Sequence, residues 1–143
     1  MIVSIYPYIL LNGQGQEAIG FYKEALDAEV VQVLTFGDMP PHPDQPPMSD
    51  EVKKRILNAH LKVGGSDLML SDTFPGQPYR QGSQVSIALI VSSVEKAREV
   101  VDKLQVGGEV NFPLQETFWS PAYGQVTDRF GVQWQVSTQQ DQA

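Results

Sequence analysis

The order of elements repeats along this chain, and internal repetition constrains a fold more than any single residue does. Residues 3–11 form an apolar run read as a buried strand, stopped by Asn12-Gly13. Over residues 16–26 the apolar positions Ile19, Tyr22 and Leu26 fall at i, i+3 and i+7, with Ala18, Phe21 and Ala25 widening the stripe. That spacing predicts a helix with one face committed to a core. Residues 29–36, 56–63 and 68–71 then read as three strands. The same order returns further on. Residues 85–91 predict a strand, Val94, Ala97, Val101 and Leu104 the stripe of a second helix, and residues 109–117, 123–128 and 132–137 three more strands.

The segments in between supply breaks of the right kind. Residues 37–47 contain five prolines, which cannot donate to a ladder or a helix, so this is a loop. Residues 49–55 predict one polar helical turn, residues 64–67 a turn and residues 74–82 a connector. Ser92 with Glu95 three positions on has the pattern of a capping box, and Gly107-Gly108 ends the helix. Arg129-Phe130-Gly131 separates the last two strands.

The expected fold is therefore α+β, with two βαβββ modules at about 1–74 and 83–138 inside a single domain of residues 1–143 and a polar tail at 139–143. Each helix covers one face of a sheet. The other faces curve towards a common cleft.

Composition narrows the function classes. Ten Lys and Arg against seventeen Asp and Glu give a net charge of -7, with one basic cluster at Lys53-Lys54-Arg55. Nucleic acid, which needs a positive surface, is not an expected partner. The chain has no cysteine, which removes disulfides, thiolate metal sites and cysteine nucleophiles. Its first eleven residues lack a basic leader and are interrupted by Pro7, so neither a signal peptide nor a membrane anchor is expected, and the cytoplasm is the default location.

Several motifs together carry a resemblance. They are Ala18-Ile19-Gly20-Phe21-Tyr22, Asn58-Ala59-His60-Leu61, Leu68-Met69-Leu70-Ser71-Asp72, Phe118-Trp119, Tyr123-Gly124, and Asp128-Arg129-Phe130-Gly131-Val132-Gln133-Trp134. With the paired modules, they make the chain similar to the PhnB-like branch of the vicinal-oxygen-chelate (glyoxalase/bleomycin resistance/extradiol dioxygenase) superfamily. Some of its members carry a 3-demethylubiquinone-9 3-methyltransferase label. The resemblance implies the glyoxalase/bleomycin resistance fold, a homodimer, and a cleft in which a divalent metal chelates neighbouring oxygens of a substrate. It puts the metal ligands at Pro7, Met69, Ser86 and Gln135. Pro7 and Met69 cannot coordinate a hard cation, neutral Ser86 is a poor ligand, and Gln135 alone offers one carbonyl oxygen. No metal and no other cofactor is expected; a divalent site would need unconventional carboxylates such as Asp67 or Asp72.

Candidate site residues come from strand alternation. His60 falls opposite to Ala59 and Leu61, which places it in the cleft as a base or ligand donor, or else as a histidine bonded within the sheet or at a subunit contact. Gln133 and Gln135 alternate with Trp134 and Val136, so the glutamines face the cleft as ligand-orienting amides or as plain solvated polar groups. Trp119 and Tyr123, beside Phe118 and Pro121, form a cleft wall or simple packing. Ser86 and Met69 complete the cleft candidates. The proline-rich segment is a flap or a surface insertion. Residues 13–18, Gly-Gln-Gly-Gln-Glu-Ala, mimic a dinucleotide fingerprint, but three consecutive strands follow where a second crossover is required.

Two readings of function stand beside each other: a protein that binds a small organic ligand in a metal-less cleft, and a lyase, isomerase or dioxygenase-like enzyme with unconventional metal ligands or His60 as base. A pure interaction module is a third.

Overall fold

The structure is a computed structural model that describes residues 1–140. Residues 141–143 of the expected polar tail lie outside the described residues. The chain divides into two compact units, residues 1–80 and residues from Gln81 onward.

In the first unit, β1 (Tyr8–Leu11) leads into α1 (Gly15–Leu26), β2 (Glu29–Thr35), a single 3-10 turn (Phe36–Asp38), the short α2 (Asp50–Lys53), β3 (Ile56–Val63) and β4 (Ser66–Asp72). Its sheet runs β1-β4-β3-β2, with β1 parallel to β4 and the other pairs antiparallel. The core is what the two periodicities dictate. Ala18, Ile19, Tyr22, Ala25 and Leu26 of α1 are buried together with Ile9, Leu11, Ala59, Leu61, Leu68 and Leu70 from alternate strand positions. Asp72, buried at the end of β4, fixes the entry to α1: its carboxylate accepts the backbone N–H of Gly13 at 2.8 Å, Gly15 at 3.0 Å and Ile56 at 2.8 Å. This accounts for Gly15, since a Cβ there would lie 2.5 Å from Asp72 Oδ2. The nucleotide-like glycines thus serve a tight strand-to-helix turn. Arg55 ties the same turn to the chain beyond β4, donating to Asn12 Oδ1 at 3.0 Å and to the Thr73 carbonyl at 3.0 Å.

The second unit repeats the order. β5 (Ile87–Val91) is followed by α3 (Val94–Leu104), β6 (Glu109–Gln115), β7 (Tyr123–Thr127) and β8 (Gln133–Thr138). The sheet order is β5-β8-β7-β6, again with the first strand parallel to the last. Ala97, Val100, Val101 and Leu104 bury one face of α3, and Val126, Trp134 and Val136 are the buried sheet positions. Both units therefore have the βαβββ order and the α+β class expected from the repeat. Among the described residues, no helix is long and apolar enough to cross a membrane.

Strand ends shift by a residue or two at β4 and β6, and four further departures from expectation have a plain physical cause. β1 begins at Tyr8, not residue 3, and Ile2, Val3 and Ile5 are 89%, 87% and 93% exposed. Pro7 gives a carbonyl to Met69 N at 3.1 Å but has no N–H with which to extend the ladder. β5 likewise starts at Ile87, leaving Val85 exposed. The cap of α3 is Ser93, whose hydroxyl accepts Lys96 N at 3.1 Å; Ser92 lies one residue too early. The β3–β4 turn is shorter than residues 64–67. Val63 pairs with Ser66 across Gly64-Gly65, with Gly64 at φ +57, so Asp67 belongs to a strand.

Candidate functional site

Opposite the helix-packed side of the first sheet, Tyr8, Met69, His60 and Gln32 form one row across four strands, paired Tyr8 to Met69, Met69 to His60 and His60 to Gln32. His60 Nε2 lies 2.6 Å from Asp67 Oδ1, and Lys62 Nζ lies 3.5 Å from the same oxygen. The imidazole also stacks on Tyr6, with ring centroids 6.3 Å apart. The hydrogen bond with His60 holds the Asp67 carboxyl below its ordinary value; Lys62 adds to this and partial burial opposes it. Asp67 thereby orients the ring. Tyr6 and Tyr8 both occupy this face, while Pro7 between them precedes β1 and is exposed.

In the second unit the open face of the sheet carries a continuous hydrogen-bond chain. Gln125 Nε2 donates to Tyr123 Oη at 3.0 Å, the Tyr123 hydroxyl donates to Gln135 Oε1 at 2.8 Å, and Gln135 Nε2 donates to Ser86 Oγ at 2.8 Å. Gln125 and Gln135 are direct cross-strand partners on β7 and β8. The chain borders a concavity of about 450 Å³ lined by Ser83, Gln84, Ser86, Asn111, Gln125, Gln133 and Gln135, with Val126 and Trp134 between them. Every polar lining side chain is a neutral amide or hydroxyl. Such a surface exchanges directional hydrogen bonds and has no group to attract or neutralise a full charge.

An aromatic cluster adjoins it. Trp119 packs edge-on against Tyr123 at 5.2 Å between centroids, and Phe118 against Trp119 at 4.9 Å. The loop is held from behind by buried Ser120, whose hydroxyl donates towards the carbonyls of Ala122 and Thr138 and accepts Thr138 N at 3.0 Å. Trp119 is 48% exposed and Phe118 93% exposed.

Ser86 and Tyr123 are thus both bonded to Gln135, Gln133 lines the same concavity, and Trp119 packs edge-on against Tyr123. His60 and Met69 are neighbours on the other unit's sheet. Gln125 belongs to no motif, its one signal being alternation with Tyr123 on β7, and Asp67, which the sequence offers only as an unconventional metal ligand in a turn, stands on β4 against His60.

The four implied metal-ligand positions do not fit a divalent ion. Pro7 and Met69 offer no hard donor, and Ser86 and Gln135 spend their polar atoms on each other and on Tyr123. Among the described residues, no three His, Cys, Asp or Glu side chains come together as a metal-holding group.

A family model for the Glyoxalase/Bleomycin resistance protein/Dioxygenase superfamily matches residues 5–136. Protein YjdN of Escherichia coli (strain K12) is 32% identical over 147 residues, covering 98% of this chain and 98% of that one. The solved structure of protein PA1353 from Pseudomonas aeruginosa superposes with a TM-score of 0.84 at 38% identity, covering 98% of this chain and 100% of its own. A Bacillus cereus structure, whose name joins PhnB to 3-demethylubiquinone-9 3-methyltransferase, gives a TM-score of 0.76 at 21% identity over 95% of this chain and 99% of its own. At that identity the likeness is one of fold.

Proposed function

Because the chain belongs to the Glyoxalase/Bleomycin resistance protein/Dioxygenase superfamily, we propose that it is a PhnB-like member that keeps the scaffold and uses it to bind a small organic ligand without a metal. One observation carries this reading: the Gln125–Tyr123–Gln135–Ser86 chain is already ordered beside a concavity of ligand size. Polar groups fixed in advance lose little entropy when they meet a ligand. The test begins with native mass spectrometry of protein purified without chelator, for which the expectation is bound organic mass or none, and no stoichiometric metal. Stoichiometric Zn, Ni, Mn or Fe overturns the metal-free reading. A thermal-shift screen of chemically mixed small molecules follows, in which hits are expected to vanish in Gln135→Leu; hits that survive this change and Tyr123→Phe place binding elsewhere.

The His60–Asp67 contact supports a second reading, in which His60 acts as a base on a small substrate bound at the first sheet. A carboxylate at 2.6 Å fixes the orientation of the ring, which a base needs if it is to reach a substrate proton. Conversion of a ligand that stops in His60→Ala while binding persists would favour the enzyme. Conversion undiminished in that variant removes it.

We assign the protein to the cytoplasm, in keeping with its lack of cysteine, and expect two copies to pair. The exposed Ile2, Val3 and Ile5 beside edge strand β1 support self-association. Light scattering giving the mass of one chain at micromolar concentration would rule out a stable pair.

A further inference from the structure

We infer that the ligand of the second unit is an uncharged polyol about two sugar rings long, whose hydroxyls meet both ends of the Gln125–Tyr123–Gln135–Ser86 chain. This rests on the proposed small-ligand binding and specifies its chemistry.

The hydrogen-bond chain leaves polar atoms unspent at both of its ends. The Tyr123 and Ser86 hydroxyls both donate and accept, so the chain can run in either direction if the two glutamine amides turn over. In one direction Gln125 keeps its carbonyl and a second N–H, and Ser86 keeps its O–H and a lone pair. In the other Gln125 keeps both N–H groups and a lone pair, and Ser86 keeps only lone pairs. The ends thus offer donors and acceptors side by side in either direction. Carboxylates and phosphates only accept and ammonium groups only donate, so each leaves part of that set unmatched. A hydroxyl matches either end in either direction.

Charge points the same way. The lining residues Asn111, Gln133 and Gln135 are neutral, as are Gln125 and Ser86, and the whole chain carries -7. An ionic ligand would surrender hydration there without gaining a counter-charge.

Length follows from the sheet. Gln125 lies on β7, Gln135 on the adjacent β8, and Ser86 precedes β5 on the far side of β8. Two interstrand spacings separate the ends by about 10 Å. One ring reaches one end; two rings reach both, and 450 Å³ is room for them. Half-exposed Trp119, packed edge-on against Tyr123, offers a flat apolar surface to the C–H face of a ring.

The test is a nitrogen-15 NMR titration of the full chain with maltose, trehalose, sucrose and lactose, with glucose as the one-ring probe and methylphosphonate and tetramethylammonium as charged probes. At least one disaccharide is expected to shift the backbone amides of Gln125, Gln133 and Gln135 saturably, at least tenfold more tightly than glucose, with no saturable shift from the charged probes. Ser86→Ala and Gln125→Leu, each with an otherwise native spectrum, should each weaken binding about tenfold. If a charged probe, or a neutral compound without hydroxyls from the thermal-shift screen, binds these amides better than every disaccharide, the polyol inference falls and the small-ligand reading stands. If no compound from either set perturbs them, both fall.

Discussion

The indole N–H of Trp134 ends on Asp128 Oδ2 at 2.8 Å, while Asp128 Oδ1 accepts the backbone N–H of Phe130 at 2.9 Å and of Val132 at 3.0 Å. One buried carboxylate thus closes the last turn and anchors the largest core side chain of the second unit. The Asp-Arg-Phe-Gly-Val-Gln-Trp motif is structural in this respect, and its Gln133, with Gln135 directly after the motif, lines the concavity. Asp128→Ala leaves three donors without their acceptor and is expected to cost about 3 kcal/mol or more. Trp134→Phe removes one bond and should cost less, about 1–3 kcal/mol. Urea unfolding compares them; equal losses would show that the turn bonds contribute nothing.

Gly15 and Gly20 share α1 and predict opposite outcomes. At Gly15 a Cβ would stand 2.5 Å from Asp72 Oδ2 and 2.6 Å from Ile56 Cγ1, whereas at Gly20 it meets nothing within 4 Å. Gly15→Ala should destabilise by about 1–3 kcal/mol through overpacking. Gly20→Ala should stabilise by about 0.5–1 kcal/mol by removing backbone freedom from the unfolded chain. Thermal midpoints of the two variants should move in opposite directions.

Asp67 gives the first unit an acid-sensitive contribution. Its folded value is depressed, chiefly by the hydrogen bond with His60, so at acid pH the unfolded chain binds the proton more readily than the folded one. The contribution is complete above the ordinary carboxylate value and is lost as pH falls through the folded value. Asp67→Asn should therefore lower stability near neutrality, with the gap to the parent protein closing below about pH 4. Urea midpoints across that range provide the measurement, and a gap of constant size would exclude Asp67 as its source.

Periodicity revealed the repeat because each helix stripe and each alternating strand faces a core, and burial leaves a pattern in the chain. It misplaced β1 because Ile2, Val3 and Ile5 are as apolar as a buried strand yet 89%, 87% and 93% exposed. Composition alone does not say where a ladder finds its donors. The two adjacent serines could each cap α3, and only backbone geometry selects Ser93. Alternation located Gln133, Gln135 and His60 on open faces. The partners of those residues were hidden for different reasons. Asp67 reaches His60 because a two-residue hairpin folds it back, a register that a longer assumed turn conceals. Gln125 meets Gln135 through strand pairing between β7 and β8, which no local pattern encodes.

The two tryptophans allow the aromatic wall to be tested without a ligand of known identity. Trp119 is 48% exposed on the loop beside Tyr123, and Trp134 is 1% exposed in the core. Acrylamide should quench one emission component readily and the other weakly. Trp119→Phe should leave only the shielded, blue-shifted component, since an exposed position on a loop tolerates the change. A ligand seated in the concavity and lying against the Trp119 ring must then protect the accessible component, and the degree of protection should follow saturation. Unchanged quenching of Trp119 at full occupancy would remove the aromatic loop from the binding site and leave the amide chain to act alone.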